Sequence, residues 1–149
     1  MIKIRKAKLD DSGRIVELQL QMARETEGLG LNKDVVSKGV RGVFQQPARG
    51  TYWVAEEKGR ILGVLLAIPE WSDWRNGTVL WIHSLYVIAE ARRHGVFKKL
   101  YLNLKKKVEQ SPKLVGLRLY VDRQNKSAKK IYEKLCMSKD HYELYEWLK

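Results

Sequence analysis

The eight residues Ile61-Leu62-Gly63-Val64-Leu65-Leu66-Ala67-Ile68 carry no polar side chain. The run is far shorter than the ~20 apolar residues of a membrane helix. It also lacks the polar alternation of a strand with one wet face. It reads as a strand buried on both faces, and such a strand needs structure packed above and below its sheet. The neighbouring segments fit that demand. Thr51-Tyr52-Trp53-Val54-Ala55 is rich in β-formers, and Lys58-Gly59 makes the tight turn of a hairpin. Thr78 to Val87 reads as another long strand, and Val115 to Val121 alternates as a further one. Between them, Pro69 to Gly77 reads as an aromatic and acidic loop.

Helical spacing fills most of the remaining chain. Asp10-Asp11-Ser12 supplies capping side chains, Ile15, Leu18 and Met22 follow on one face, and Gly28-Leu29-Gly30 ends the helix. Lys33 to Gln46 carries Val35, Val36, Val40 and Val43 and stops at Pro47. Phe97, Leu100, Tyr101, Leu104 and Val108 form one apolar face, with lysines largely on the other. Ala128, Ile131, Tyr132 and Leu135 make the stripe of a last helix. A short strand at Met1 to Arg5 opens the chain, and Tyr142 to Leu148 reads as a closing strand. The order β-α-α-β-β-β-α-β-α-β predicts one α/β domain over residues 1–149, a mixed sheet with helices on both faces.

Composition narrows the function classes. The single cysteine, Cys136, excludes an internal disulfide and any multi-cysteine metal site, and no metal is expected. The alternating N-terminus Met1-Ile2-Lys3-Ile4-Arg5 lacks the apolar core of a signal peptide, so a cytoplasmic protein without a membrane segment is expected. The formal net charge of +12 calls for an anionic partner or a solubility role. A polyanionic cofactor, a nucleic acid and a solvated lysine surface are three readings of it.

One stretch favours the cofactor. After the strand ending at Val87, the turn Arg92-Arg93-His94-Gly95-Val96-Phe97-Lys98-Lys99 is basic, contains glycine and opens a helix. Amides at a helix start lack partners, and the helix dipole is positive there. Glycine lets phosphate oxygens approach, so Arg92, Arg93, His94, Gly95, Val96, Phe97 and Lys98 read as a diphosphate cradle.

The turn, its strand and its helix resemble the acyl-CoA signature R/Q-x-x-G-x-G/A of the GNAT acetyltransferases, here Arg92-x-x-Gly95-x-Phe97. Phe97 stands where the family has Gly or Ala. A second resemblance lies in Asn125, Ala128 and Tyr132, which match an asparagine followed by an A-x-x-x-Y helix; the family's following Gly-Phe is Cys136-Met137 here. The resemblance implies a three-layer α/β/α fold around a mostly antiparallel mixed sheet. It implies acetyl-CoA as co-substrate and transfer of an acetyl group to a primary amine in a ternary complex. It places the pantetheine arm along Leu85-Tyr86-Val87, Asn125 beside the cofactor, and Tyr132 as the acid for the leaving thiol. A homodimer is also implied.

The base is not implied by the resemblance. His83, on the strand entering the turn, is a chemical candidate because histidine titrates near neutrality. Glu70, Asp73 and a water chain stay open beside it. The acceptor side is read from Glu70-Trp71-Ser72-Asp73-Trp74: acids attract an ammonium and indole faces add cation–π attraction, so Glu70, Asp73 and Trp74 are candidate amine contacts. The rivals are a nucleic-acid-binding or CoA-sensing module on the same fold, and acetylation of an amine carried on RNA.

Overall fold

The structure, a computed structural model, describes residues 1–149. Five strands form one sheet in chain order: β1 (Lys3–Lys6), β2 (Thr51–Glu57), β3 (Arg60–Ser72), β4 (Gly77–Val87) and β5 (Leu114–Leu119). β1 to β4 are antiparallel neighbours, and β5 runs parallel to β4. The helices are α1 (Ser12–Glu27), α2 (Lys33–Gln45), α3 (Val96–Gln110) and α4 (Lys126–Lys134).

β3 is the central strand that its apolar run requires. Every residue from Ile61 to Ala67 is buried, and successive side chains point to opposite layers. A Cβ on Gly63 would lie 3.0 Å from the Tyr86 carbonyl and 3.3 Å from Leu100 of α3, so glycine is what lets α3 approach the sheet. The next residue, Val64, stands opposite Tyr86, whose hydroxyl reaches Glu25 of α1. α3 and α1 thus cover opposite faces. Ile15 and Leu18 of α1 and Leu100 and Leu104 of α3 are among the most deeply buried side chains.

The helix ends follow local chemistry in part. Asn32 caps α2, its side-chain oxygen accepting from the amides of Asp34 and Val35 at 2.9 and 3.1 Å. Gly28 ends α1 at φ 66, the left-handed conformation glycine tolerates. Asp11 does not cap α1 through its side chain. Its carboxylate instead accepts from the Lys8 amide and from both terminal nitrogens of Arg5, whose Nε donates to Glu56. Arg5 thereby ties β1, the turn before α1 and β2 together. Its guanidinium holds the Asp11 carboxyl below the usual carboxylate range.

Two expectations are corrected. Pro69 to Ser72 is not loop but the end of β3, paired with Gly77 to Leu80 around a short Asp73–Asn76 turn. Proline is tolerated there because β2 begins at Thr51, opposite Ala67, so the Pro69 nitrogen has no second strand to serve. Tyr142 to Leu148 forms no strand in the folded chain, because no strand of its own sheet pairs with it.

Replacing Asp11 by alanine is expected to lower unfolding stability by about 1.5–3 kcal/mol, the worth of hydrogen bonds to a charged group. Because the folded carboxyl titrates below its unfolded value, the wild type alone should lose this increment as pH falls below about 4. Urea melts of both proteins at neutral and acid pH check this.

Candidate functional site

Two stretches of backbone without partners meet at one end of the sheet. The first is on β4. Its pairing with β5 ends at Ile82 opposite Leu119, while its pairing with β3 continues to Val87 opposite Gly63. From His83 to Val87 no strand lies along the outer edge of β4. The register with β3 slips here, Leu66 facing Ser84 and Ala67 facing Ile82, so His83 is the extra residue of a β-bulge and is exposed.

The second is the start of α3. The backbone amides of Arg93, His94, Gly95, Val96, Phe97 and Lys98 donate to nothing within the chain, and the first helical bond is Lys99 to the Gly95 carbonyl at 3.0 Å. Arg93 and Gly95 are both left-handed, at φ 66 and φ 75, a curl of the kind that forms anion-binding concavities. A Cβ at Gly95 would meet nothing within 4 Å. Open space lies where a phosphate group would approach, and six free donors at the positive end of a 15-residue helix suit its charge. The residues present therefore fit a diphosphate.

Arg92 is engaged differently from its neighbours. Its Nε donates to the Val87 carbonyl at 2.9 Å, and its terminal nitrogen pairs with Glu25 of α1. Glu25 also accepts the Tyr86 hydroxyl at 2.7 Å, and the Arg92 guanidinium lies 5.5 Å from the Tyr86 ring centroid. The Arg92 and Tyr86 contacts hold the Glu25 carboxyl below the ordinary range, while burial first and Glu25 second push the Tyr86 phenol up to about 12. The guanidinium thus braces the turn against α1, while the free amides stand after it.

Phe97 does not fill the cradle. Its ring packs on the core, 5.6 Å from the ring of Tyr132 on α4, while its amide remains free. Tyr132 is partly buried, desolvation raises its phenol to about 12, and no hydrogen bond contributes to that shift. Asn125 caps α4, its side-chain oxygen accepting from the Ala128 amide and the Ser127 hydroxyl at 3.1 Å each. Leu85, Tyr86 and Val87 lie on the unpaired stretch of β4, with Tyr86 and Val87 buried and Leu85 partly so.

The acidic and aromatic residues do not gather around His83. Asp73 accepts the amide of Trp74 at the tip of the β3–β4 hairpin, and Trp74 is almost fully exposed. Measured along β4 from Asn76, that tip is about 24 Å from His83. Glu70 is nearer and pairs with Arg118 of β5 at 3.3 Å. The Arg118 guanidinium lies 5.9 Å from the Trp81 ring, which stacks at 4.6 Å on Tyr120. Trp81, Arg118 and Tyr120 were not among the expected site residues. Their contacts depend on the β4–β5 register, and only the placement of Trp81 two residues before His83 hints at them.

The Acetyltransferase (GNAT) family model matches residues 17–136. A crystal structure of a possible acetyltransferase from Clostridium difficile 630 is 39% identical with a TM-score of 0.94, over 99% of this chain and 97% of that one. The ribosomal-protein-alanine N-acetyltransferase from Brucella melitensis biovar Abortus 2308 is 17% identical with a TM-score of 0.82, over 100% of both chains. Aminoglycoside N-acetyltransferase AAC(6')-Iy in complex with CoA is 13% identical with a TM-score of 0.81, over 99% of this chain and 95% of that one. The last two share the fold. No curated protein matches the chain.

Two substitutions separate the cradle from its brace. Gly95→Asp puts a carboxylate and a side chain into the left-handed cradle and should abolish acetyl-CoA binding in calorimetry. Glu25→Gln keeps the size of the brace but removes its charge, and should weaken acetyl-CoA about three- to tenfold, the worth of roughly 1 kcal/mol. Unchanged affinity in a folded Gly95→Asp protein would remove the turn from the binding site.

Proposed function

The chain belongs to the GNAT acetyltransferase family, whose co-substrate is acetyl-CoA, and from that premise we propose that it is an N-acetyltransferase acting on a primary amine by direct transfer in a ternary complex. The observation that carries this reading is the meeting of six free amides at the α3 start with the unpaired edge of β4.

Acetyl-CoA supplies the acetyl group as a thioester. The amides of Arg93 to Lys98 bind its diphosphate, with the exposed Arg93 and Lys98 side chains adding positive charge around them. The β4 edge at Leu85 to Val87 offers backbone groups to the extended pantetheine arm, and one of its amides serves as the oxyanion donor. Asn125 acts from behind, holding the first turn of α4 so that Tyr132 keeps its place.

Tyr132 holds its proton throughout the physiological range, since burial raises its phenol to about 12. A phenol that weak in acidity does not protonate a free thiolate outright. Its hydroxyl donates a hydrogen bond to the leaving sulfur as charge develops there. His83, exposed at the bulge where β4 and β5 part, takes the proton from the attacking amine in this reading and passes it to water, and the departing thiolate is protonated from water. The acceptor approaches along the sheet from Glu70, where an ammonium competes with Arg118 for that carboxylate and for the Trp81 ring, with Tyr120 stacked behind. Asp73 and Trp74, at the hairpin tip, contact only an acceptor long enough to span that distance, such as a polyamine or a protein chain.

Free-thiol detection with acetyl-CoA and a panel of amines tests the activity; no thiol release with any acceptor would favour a CoA-sensing module. In the active protein, Tyr132→Phe should lower kcat by about 10- to 10²-fold, the worth of one hydrogen bond to a developing charge, while leaving acetyl-CoA affinity intact. His83→Ala should lower kcat by about 10²-fold, and an unaltered kcat would assign deprotonation to a water chain. Trp81→Ala and Glu70→Gln should each raise the amine KM roughly 3- to 10-fold with the acetyl-CoA KM unchanged; if neither moves the amine KM, the acceptor lies elsewhere.

A further inference from the structure

Ser84 is the only buried polar residue of the chain, 6% exposed. Its hydroxyl oxygen accepts from Nε2 of the Gln19 side chain at 3.1 Å. Gln19 breaks the pattern of its helix. It stands about one turn of α1 from Val16 and from Ala23, both buried, so it occupies the stripe that packs on the sheet. An apolar side chain there would bury more surface without desolvating a polar group. A half-buried amide in that stripe, meeting the one buried hydroxyl, points to a use outside the core.

The strand register shows where the pair stands. Along β3, Val64, Leu66, Ile68 and Glu70 follow at two-residue steps, so they face one layer. Val64 stands opposite Tyr86, whose hydroxyl reaches α1, so that layer is the α1 side. Leu66 stands opposite Ser84 and Ile68 opposite Trp81, the bulge at His83 keeping both partners on this face. From Glu70 to the level of Ser84 is about 13 Å along the strand. Trp81 still has β5 at its side, paired with Arg118, whereas Ser84 lies beyond the Ile82–Leu119 pair, where the edge of β4 is open. A path along Glu70 and Trp81 therefore ends at Gln19 and Ser84, beside the edge offered to the thioester.

Building on the N-acetyltransferase reading, we propose that Gln19 is the contact that selects a primary amine. With Nε2 held by Ser84, the other branch of the planar amide, Oε1, is an acceptor without a partner in the chain. A neutral primary amine carries two N–H bonds. As its lone pair forms the N–C bond and the C–S bond breaks, one proton leaves through His83 to water, and the other stays in the product amide. Gln19 Oε1 accepts the hydrogen bond from the N–H that stays. A secondary amine has a single N–H, the one that must leave, so Gln19 and His83 cannot both be served. Ser84 is a positioning residue that acts through Gln19.

Thiol-release kinetics with the most active primary amine of the panel and its N-methyl derivative test this. Gln19→Leu should lower kcat/KM for the primary amine about 3- to 10-fold, the worth of one neutral hydrogen bond. It should narrow the preference over the N-methyl amine by the same factor and leave the acetyl-CoA KM unchanged. Ser84→Ala should act in the same direction and add nothing in the Gln19→Leu background. Gln19→Glu keeps an outward acceptor and should retain the preference. If Gln19→Leu does not bind acetyl-CoA in calorimetry, Ser84→Ala and Gln19→Glu carry the comparison. A preference unchanged in Gln19→Leu, or in Ser84→Ala, overturns the proposal and leaves the transferase reading standing, as does a Gln19→Glu protein that loses the preference. No thiol release by the wild type with any acceptor overturns both.

Discussion

Where β5 leaves β4 after the Ile82–Leu119 pair, the sheet is split open beside its most buried strands. A backbone amide buried without a partner costs about 1–3 kcal/mol, so such a split persists only if the exposed groups face water or a ligand. The bulge at His83 turns β4 as the split opens, and the chain then runs directly into the turn whose six amides are also free. Extended backbone followed by a helix start is a matched pair of surfaces: one suits a thin amide-bearing arm, the other a pair of phosphates. The layers around the split, α1 on one face and α3 with α4 on the other, exist to hold its edges at fixed positions.

The brace through Arg92 shows how little energy that positioning needs. Arg92 and Glu25 are both nearly half exposed, and an ion pair of that kind contributes at most about 1 kcal/mol. Its effect is geometric. The Val87 carbonyl fixes one side of the guanidinium, Glu25 the other, and the Tyr86 hydroxyl fixes Glu25 in turn. The turn is thereby tied to the end of β4 and to α1 at once. Phe97 is accommodated by the same division of labour, because the cradle is made of amides and a side chain is free to point toward Tyr132.

Much of this was legible in the sequence because it is local. The buried strand, the helix faces, the glycine turn and the asparagine before α4 all depend on neighbours within a few residues. What was not legible depends on distant register. Glu25 and Arg92 are 67 residues apart, and nothing in either neighbourhood marks the pairing. Trp81, Arg118 and Tyr120 meet only because β5 runs parallel to β4 in one register. Pro69 reads as a strand breaker until the pairing with β2 is seen to stop at Ala67. Tyr142 to Leu148 misleads for the same reason: its β-formers read as a strand, but strand formation needs a paired register, and the segment has none in the sheet.

Arg118 is the side chain on which the contacts at the β4–β5 edge converge. It pairs with Glu70, lies beside the Trp81 ring, and stands against the Tyr142 ring. The Glu70 carboxylate and the Trp81 ring are thus already served by a cation of the chain itself, so any cationic acceptor meeting them has to compete with a guanidinium fixed by the β4–β5 register.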